Sequence, residues 1–124
     1  MPKVFIVDND RTTVSLLKIL FELDGYTVQI AGNPGAVLDE VRQTAPDVVL
    51  MDVFLSGGDG LELLRGMRRE PDLAGVPVLM TSGMDLTDEC LTAGAQGFLL
   101  KPYAPEQLTE ALQKIMNSKG KGTV

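Results

Sequence analysis

The chain has 124 residues, of which 44% are hydrophobic and 23% charged, and this composition is typical of one soluble globular domain. Its formal net charge of −6 disfavours direct binding to nucleic acid, because phosphate backbones attract basic surfaces. The apolar runs are too short for a membrane span or a signal peptide, so we expect a cytoplasmic protein without membrane insertion.

Histidine is absent from the chain, and Cys90 is its only cysteine. No intrachain disulfide is therefore possible, and Cys90 is best explained as a small residue packed on a helix. Without histidine, the chain has no imidazole to ligate a metal, to activate a nucleophile or to carry a phosphoryl group. Any phosphohistidine donor must be another molecule.

Five short apolar segments alternate along the chain with helix-like segments. The apolar segments are rich in Val, Ile and Leu with little alternation, which is typical of strands that are covered on both faces in a parallel sheet. The predicted strands are Val4–Val7, Thr27–Ala31, Val48–Met51, Pro77–Met80 and Gly97–Leu100.

Helical patterns fill the intervals between these strands and follow the last one. The predicted helices run from about Arg11 to Leu23 with Asp10 as N-cap, from Asn33-Pro34 through Val41, from a cap at Asp59 through Met67, from about Leu86 to Thr92, and onward from Pro105. We assign residues 1–118 to one domain and expect residues 119–124 to form a flexible C-terminal tail.

This alternation predicts an α/β fold, a doubly wound (βα)5 three-layer sandwich with right-handed crossovers. For five strands the flavodoxin-like order 2-1-3-4-5 of a parallel sheet suits the pattern. Ligands of such sheets bind at the carboxyl ends of the strands, beside the point where the strand order reverses.

Polar side chains follow four of the predicted strands at that end. Asp8 follows the first strand, Asp52 the third, Ser82 the fourth and Lys101 the fifth. Each has an ordinary explanation alone, such as a helix cap, a turn or a solvated loop. Together they predict a site that gathers two carboxylates, a hydroxyl and an ammonium group.

The stretch "DNDRT", residues 8–12, leaves two kinds of phosphate chemistry open. In a D-x-D-x-T phosphohydrolase, Asp8 is the nucleophile and Asp10 its acid/base partner, with Thr12 completing the pattern. In the other chemistry, Asp8 and Asn9 only help to hold a metal ion, and the reacting carboxylate lies elsewhere.

The stretches "VFIVDND", "PDVVLMDVFLSGGDGLELL", "VPVLMTSG" and "AGAQGFLLKPY" together resemble the receiver domain of two-component response regulators, over nearly the whole chain. The short Ser82–Lys101 interval is similar to receivers that are joined to hybrid sensor kinases. The resemblance implies these roles: Asp52 as phosphoacceptor; Asp8, Asn9, Asp52 and the Phe54 backbone carbonyl as Mg²⁺ ligands; Lys101 and Ser82 as phosphoryl contacts; Ser82 and Phe98 as switch residues; and a cis Lys101–Pro102 bond.

A sensor histidine kinase or a phosphotransfer protein is the phosphoryl donor that this resemblance implies. The chain would then signal by a conformational switch in a phosphorelay, and would be no enzyme beyond catalysing its own phosphorylation and dephosphorylation. The sequence carries no effector pattern, so the downstream effector protein is unknown.

The resemblance favours Asp52 as the reacting carboxylate. A D-x-D-x-T hydrolase also needs an acidic pair after its lysine, whereas Lys101 is followed only by Glu106 and Glu110 on an amphipathic helix. We therefore expect Asp10 to cap a helix. A phosphorylation-independent pseudo-receiver, acting as an interaction module, is the other alternative, and Asn9 is the feature that favours it.

Departures from the family pattern carry further expectations. Asn9 replaces the usual acidic residue, which predicts weaker Mg²⁺ binding. Phe54 and Met84 are apolar where polar residues can orient a hydrolytic water, which predicts a long-lived acyl phosphate. The loop "FLSGGDG" is expected to be flexible. The shortened Ser82–Lys101 interval predicts a stunted fourth helix.

Overall fold

The structure is a computed structural model that describes residues 2–121. Its strands are β1 Lys3–Val7, β2 Thr27–Ile30, β3 Val48–Asp52, β4 Phe54–Leu55, β5 Gly58–Asp59, β6 Val78–Ser82 and β7 Gly97–Leu100. Five of them form a parallel sheet in the order β2-β1-β3-β6-β7, while β4 and β5 pair as a separate antiparallel hairpin. Counted within the sheet, this is the predicted order 2-1-3-4-5, and the flavodoxin-like fold is confirmed.

The helices are α1 Arg11–Leu23, α2 Val37–Thr44, α3 Gly60–Arg69, α4 Thr87–Thr92 and α5 Pro105–Lys121, and a 3₁₀ turn, Pro34–Ala36, precedes α2. The six residues of α4 confirm that the fourth helix is short. Helix α5 includes residues 119–121 of the predicted tail, and residues 122–124 lie outside the described residues. Within residues 2–121 no helix has the length and apolar character needed to cross a bilayer.

Two apolar cores lie on opposite faces of the sheet, which gives the three layers. On one face α1 and α5 pack against alternate residues of the central strands, such as Val4 and Ile6 of β1. On the other face α2, α3 and α4 cover Phe5 and Val7 of the same strand. Because strand side chains point to alternate faces, this double burial explains the continuous apolar character of the strands.

Cys90 is fully buried on α4 within the second of these cores, as predicted. Burial raises the pKa of its thiol, and the nearby charge of Glu89 adds to this increase. The neutral thiol is therefore the dominant form at neutral pH, which fits a packing role.

Side chains cap two helices where the sequence predicts them. The Asp10 carboxylate accepts hydrogen bonds from the backbone N–H groups of Thr12 and Thr13, and Asp59 accepts one from Leu61. At the second helix the prediction is wrong by three residues: Asn33 accepts from the Gly35 amide and so begins the 3₁₀ turn, not an α-helix.

Two strands extend further toward their carboxyl ends than predicted. Strand β3 includes Asp52, and β6 begins at Val78 and includes Ser82, because the ladder continues through the Asp52–Thr81 and Ser82–Leu100 pairs. The loop that was expected to be flexible contains the β4–β5 hairpin, with Gly57 at φ +76° in the turn.

Candidate functional site

The carboxyl end of the sheet brings the predicted charged residues together. Asp52 is the last residue of β3, which lies at the centre of the sheet, while Asp8 follows β1 and Lys101 follows β7. A backbone hydrogen bond of 2.8 Å from the Lys101 amide to the Ser82 carbonyl fixes the start of the loop after β7. The Lys101–Pro102 peptide bond is cis, as the resemblance implied.

One ammonium group bridges two carboxylates at this edge. Lys101 Nζ donates a hydrogen bond of 2.8 Å to Asp52 Oδ2 and lies 3.5 Å from Asp8 Oδ2. The side chains of Asp8 and Asp52 are only 8% and 13% exposed, and that of Lys101 is 29% exposed. We call Asp8 and Asp52 the acidic pair. Its charges are little screened by solvent, so they interact strongly with any cation between them.

Backbone amides hold the other oxygens of the acidic pair. Asp8 Oδ1 accepts a hydrogen bond of 2.9 Å from the Asp10 amide, and Asp52 Oδ1 accepts one of 3.2 Å from the Phe54 amide. Both carboxylates are thereby oriented with Oδ2 toward the Lys101 ammonium. The arrangement is preorganised for a ligand that carries positive charge or for a reaction at Oδ2.

The pKa of Lys101 reflects two opposing influences. Burial lowers it, but the hydrogen bond to Asp52 and the negative charges of the acidic pair outweigh burial and raise the pKa above its ordinary 10.5. The ammonium is therefore charged at neutral pH. Since the folded-state pKa is raised, this charge stabilises the fold below pH 10.5, and the contribution is lost as the pH rises through the raised value.

Asn9 is exposed and follows Asp8 directly, and both line a small cavity of about 120 Å³. Within residues 2–121 no group of three or more His, Cys, Asp or Glu side chains is placed to hold a metal ion. The donors present are the two carboxylates of the acidic pair and the Asn9 amide. An all-oxygen set of this kind fits a hard cation such as Mg²⁺.

Ser82 is fully buried at the end of β6. Its hydroxyl oxygen accepts a hydrogen bond of 3.0 Å from the Met84 amide, so its own loop holds it in place. Phe98 is half-buried in β7, opposite Met80, and packs on the core beneath α2, α3 and α4. Both predicted switch residues therefore adjoin the β6–α4 region.

Two apolar side chains stand in solvent beside the site. Phe54 is 57% exposed and Met84 is 59% exposed, although the backbone amides of these residues donate to Asp52 and Ser82. Singly exposed apolar side chains are common on protein surfaces, so their exposure alone does not indicate a binding role. Shielding of a phosphoryl group by these two side chains stays a prediction from the sequence.

Asp10 lines the cleft beside Lys101, but its carboxylate is engaged by the start of α1. Its carboxylate caps α1 and also accepts a hydrogen bond of 2.9 Å from the Thr13 hydroxyl. That hydroxyl bond is the main reason why the pKa of Asp10 is lowered, with backbone hydrogen bonds adding to it. Asp10 therefore caps a helix, as the sequence predicted.

The sequence prediction of the site omitted Gly60. Its amide donates a hydrogen bond of 2.8 Å to the Val53 carbonyl, and a Cβ atom at this position would lie 2.2 Å from the Asp52 carbonyl oxygen. Only glycine therefore allows α3 to begin so close to the end of β3. The "DG" pair after a strand was the signal that could have identified it.

The chain also matches known proteins. The sequence profile described as "Response regulator receiver domain" matches residues 4–113. DNA-binding response regulator MtrA of Mycolicibacterium paratuberculosis is 31% identical over 109 residues, covering 86% of this chain and 47% of MtrA. Response regulator MprA of a Mycobacterium species is 32% identical, covering 92% of this chain and 50% of MprA. The chain thus spans about half the length of these curated relatives.

Solved structures share the fold. Chemotaxis protein CheY4 of Vibrio cholerae superposes with a TM-score of 0.84 at 27% identity, covering 93% of this chain and 98% of CheY4. The receiver domain of sensor histidine kinase PA1611 from Pseudomonas aeruginosa, described with a magnesium ion coordinated in its active site cleft, gives a TM-score of 0.84 at 22% identity, covering 94% of this chain and 98% of that domain.

Proposed function

We propose that this chain, which belongs to the family of response regulator receiver domains, takes a phosphoryl group onto Asp52. The donor is the phosphohistidine of a sensor histidine kinase or phosphotransfer protein, or a small molecule such as acetyl phosphate. An Asp52 oxygen forms the new bond to phosphorus, the bond from phosphorus to the donor breaks, and its electron pair leaves with the donor. The observation that carries this proposal is the hydrogen bond from Lys101 to Asp52, one member of the acidic pair.

Mg²⁺ is the cofactor that the donor set supports. Asp8, Asn9, Asp52 and the backbone carbonyl of Phe54 would hold it, and when bound it would neutralise charge on the phosphoryl oxygens. The PA1611 receiver domain, which has the same fold, is described with this ion in its active site cleft. The convergence of the acidic pair on one point supports the same ion here.

The remaining residues stabilise and report the phosphoryl group. Lys101 would neutralise an oxygen of the group, and the Ser82 hydroxyl would leave the Met84 amide to bind another. Phe98 would then move into the space behind Ser82. Phosphorylation would in this way change the shape of the surface that a partner protein contacts. A near-complete switch needs about 5.5 kcal/mol of differential stabilisation.

The chain's role is then that of a relay component without an external substrate. It would catalyse only its own phosphorylation and dephosphorylation, in the cytoplasm, and pass the signal to an effector protein. An exposed apolar stripe on α1 reaches the cleft beside Lys101, which suits a protein donor; it consists of Leu16, Ile19, Leu20 and Leu23. The net charge of −6 argues against DNA contact by this chain itself.

Incubation with acetyl phosphate and Mg²⁺, followed by intact-mass measurement, tests the proposal. We expect one phosphoryl adduct on the unmodified chain and none on Asp52→Asn. No adduct on either chain would support a pseudo-receiver module instead. Continuous turnover that disappears in Asp8→Asn but persists in Asp52→Asn would support the hydrolase.

Restoring an acidic residue at position 9 is expected to tighten Mg²⁺ binding. Asn9→Asp adds a negative charge next to Asp8, and oxygen ligands with charge bind Mg²⁺ more strongly than amides do. We expect the dissociation constant to fall on the order of tenfold. Calorimetric titration measures it, with Asn33→Asp as a control on the neighbouring loop. Equal effects of the two substitutions would show that Asn9 is no ligand.

Polar residues in place of Phe54 and Met84 are expected to shorten the life of the acyl phosphate. Phe54→Asn with Met84→Glu would replace exposed apolar cover by groups that orient water toward phosphorus. We expect dephosphorylation to accelerate on the order of tenfold, measured by decay of the intact-mass adduct. Leu23→Glu, which alters an apolar residue on α1 that is even more exposed, should leave the decay unchanged. A slower decay in the double variant would rule out shielding.

A further inference from the structure

We infer that Glu40 is a positioning residue for the proposed Mg²⁺ site. It holds the loop between β2 and α2 so that two backbone carbonyls, those of Ala31 and Gly32, face Asn9 and accept hydrogen bonds from water molecules that the ion keeps. The inference rests on the proposed function and adds a wall of acceptors behind its metal ligands. Glu40 itself would touch neither the ion nor the phosphoryl group.

The Glu40 carboxylate reaches back from α2 to the loop that leads into this helix. Its Oε2 accepts a hydrogen bond of 3.0 Å from the Gly32 amide, which also donates to Oε1 at 3.2 Å. Oε1 accepts a further one of 3.4 Å from the Asn33 amide. Hydrogen bonds to a charged acceptor are stronger than those between neutral groups. Glu40 therefore fixes two successive peptide groups in a loop whose residues are exposed at this point.

The same hydrogen bonds determine where two carbonyl groups point. In a planar trans peptide the C=O and N–H groups point in opposite directions. The Ala31 carbonyl shares its peptide with the Gly32 amide, and the Gly32 carbonyl shares its peptide with the Asn33 amide. Both carbonyls are therefore directed away from Glu40. The Ala31 amide donates a hydrogen bond of 2.9 Å to the Ile6 carbonyl, so this part of the loop still runs beside β1.

These carbonyls belong to residues that line the cavity beside the proposed metal ligands. Ala31 and Gly32 line the cavity of about 120 Å³ together with Asp8 and Asn9. Within residues 2–121 no backbone amide donates to either carbonyl. A cavity of this size has room for water molecules, and Mg²⁺ in proteins usually keeps several of them. The two carbonyls are thus available to accept from such waters.

The residue at position 9 makes acceptors of this kind important. The neutral amide of Asn9 leaves the site with one charged acceptor fewer than a carboxylate would provide. Hydrogen bonds through a bound water are nearly as favourable as direct ones, and a loop that is already held in place loses little entropy when they form. Groups that orient the surroundings of a metal ion in this way typically contribute about 10- to 100-fold in metal affinity.

Calorimetric Mg²⁺ titration of the full chain tests the inference with a graded pair of variants. Glu40→Ala frees the loop and should raise the Mg²⁺ dissociation constant on the order of tenfold. Glu40→Gln keeps an oxygen that can accept from the same amides, so it should retain most of the affinity. Asp39→Ala removes the same charge from a neighbouring residue that pairs with Arg42, and it should leave the dissociation constant unchanged. Thermal melts establish that each variant is folded.

Amide hydrogen exchange without metal gives a second readout that does not depend on the ion. The Gly32 and Asn33 amides should exchange faster in Glu40→Ala than in the unmodified chain, and unchanged exchange would overturn the clamping role. Faster exchange with an unchanged Mg²⁺ dissociation constant would show a purely structural contact. An equal loss of affinity in Glu40→Gln and Glu40→Ala would show a charge effect, and absence of Mg²⁺ binding by the unmodified chain would also overturn the inference. Failure of the proposed function appears separately, as a missing adduct with acetyl phosphate.

Discussion

Replacing Gly60 by alanine is expected to destabilise the fold by about 3 kcal/mol and to slow phosphorylation of Asp52. The new Cβ would lie 2.2 Å from the Asp52 carbonyl oxygen and 2.9 Å from Val53 Cα, and both neighbours are backbone atoms that cannot rotate away. The chain must move either the start of α3 or the end of β3. The second movement shifts the Asp52 carboxylate away from Lys101.

Gly66 offers a matched control within the same helix. A Cβ there would meet Leu38 Cδ2 at 3.6 Å, which is an ordinary contact, and alanine favours a helix interior over glycine. Gly66→Ala should therefore stabilise the protein by about 1 kcal/mol. Urea unfolding measures both variants, and the rate of adduct formation with acetyl phosphate reports the site. Equal stability changes in the two variants would contradict the close approach at Gly60.

Arg68→Met is expected to cost about 3 kcal/mol of stability while phosphorylation of the folded protein continues. Arg68 is half-buried at the end of α3, where its guanidinium donates to the carbonyls of Leu73 and Gly94 and to the Gln96 side chain. Burial lowers the pKa of Arg68. The substitution leaves two partly buried carbonyls and the Gln96 side chain without their charged donor.

The Arg68 network lies at the amino ends of β6 and β7, at the opposite edge of the sheet from the acidic pair. Gln96 continues it, since its side-chain oxygen also accepts from the Val78 amide at 2.7 Å. Arg69→Met removes the same charge from an exposed neighbour and should change stability by less than about 0.5 kcal/mol. Urea unfolding measures the stability of each variant, and adduct formation with acetyl phosphate measures its phosphorylation. Loss of the adduct in folded Arg68→Met would show that the Arg68 network and the acidic pair are coupled.

Sequence patterns predicted the sheet because the features that identify each strand lie within the strand itself. Continuous Val, Ile and Leu runs indicate burial on both faces, and Asp10 and Asp59 lie at the starts of helices that need a cap. The rule that parallel strands end at a common edge then placed Asp8, Asp52 and Lys101 together. These inferences needed no knowledge of which helix packs on which face.

Other features depend on contacts between distant segments, so the sequence could not supply them. The extension of β6 to Ser82 follows from the ladder with β7, and the β4–β5 hairpin follows from pairing across a glycine turn. The role of Arg68 depends on Gly94, since a side chain at that position would lie 2.9 Å from Arg68 Nε. The bridge from Lys101 to both members of the acidic pair depends on a side-chain conformation that no periodicity encodes.

Because α4 is short, we expect the amides of the segment after Ser82 to be the least protected against hydrogen exchange. A helix of six residues is too short to be stable alone, and Leu86, which precedes α4, supplies no side-chain cap, although the Thr87 amide donates to the exposed Asp85 carboxylate at 3.2 Å. Its far end is anchored, because the Gly94 carbonyl accepts from Arg68. Exchange should therefore be graded, slow near Ala95 and fast near Asp85. The part of the backbone that exchanges fastest would be the part that must rearrange when the Ser82 hydroxyl changes its partner.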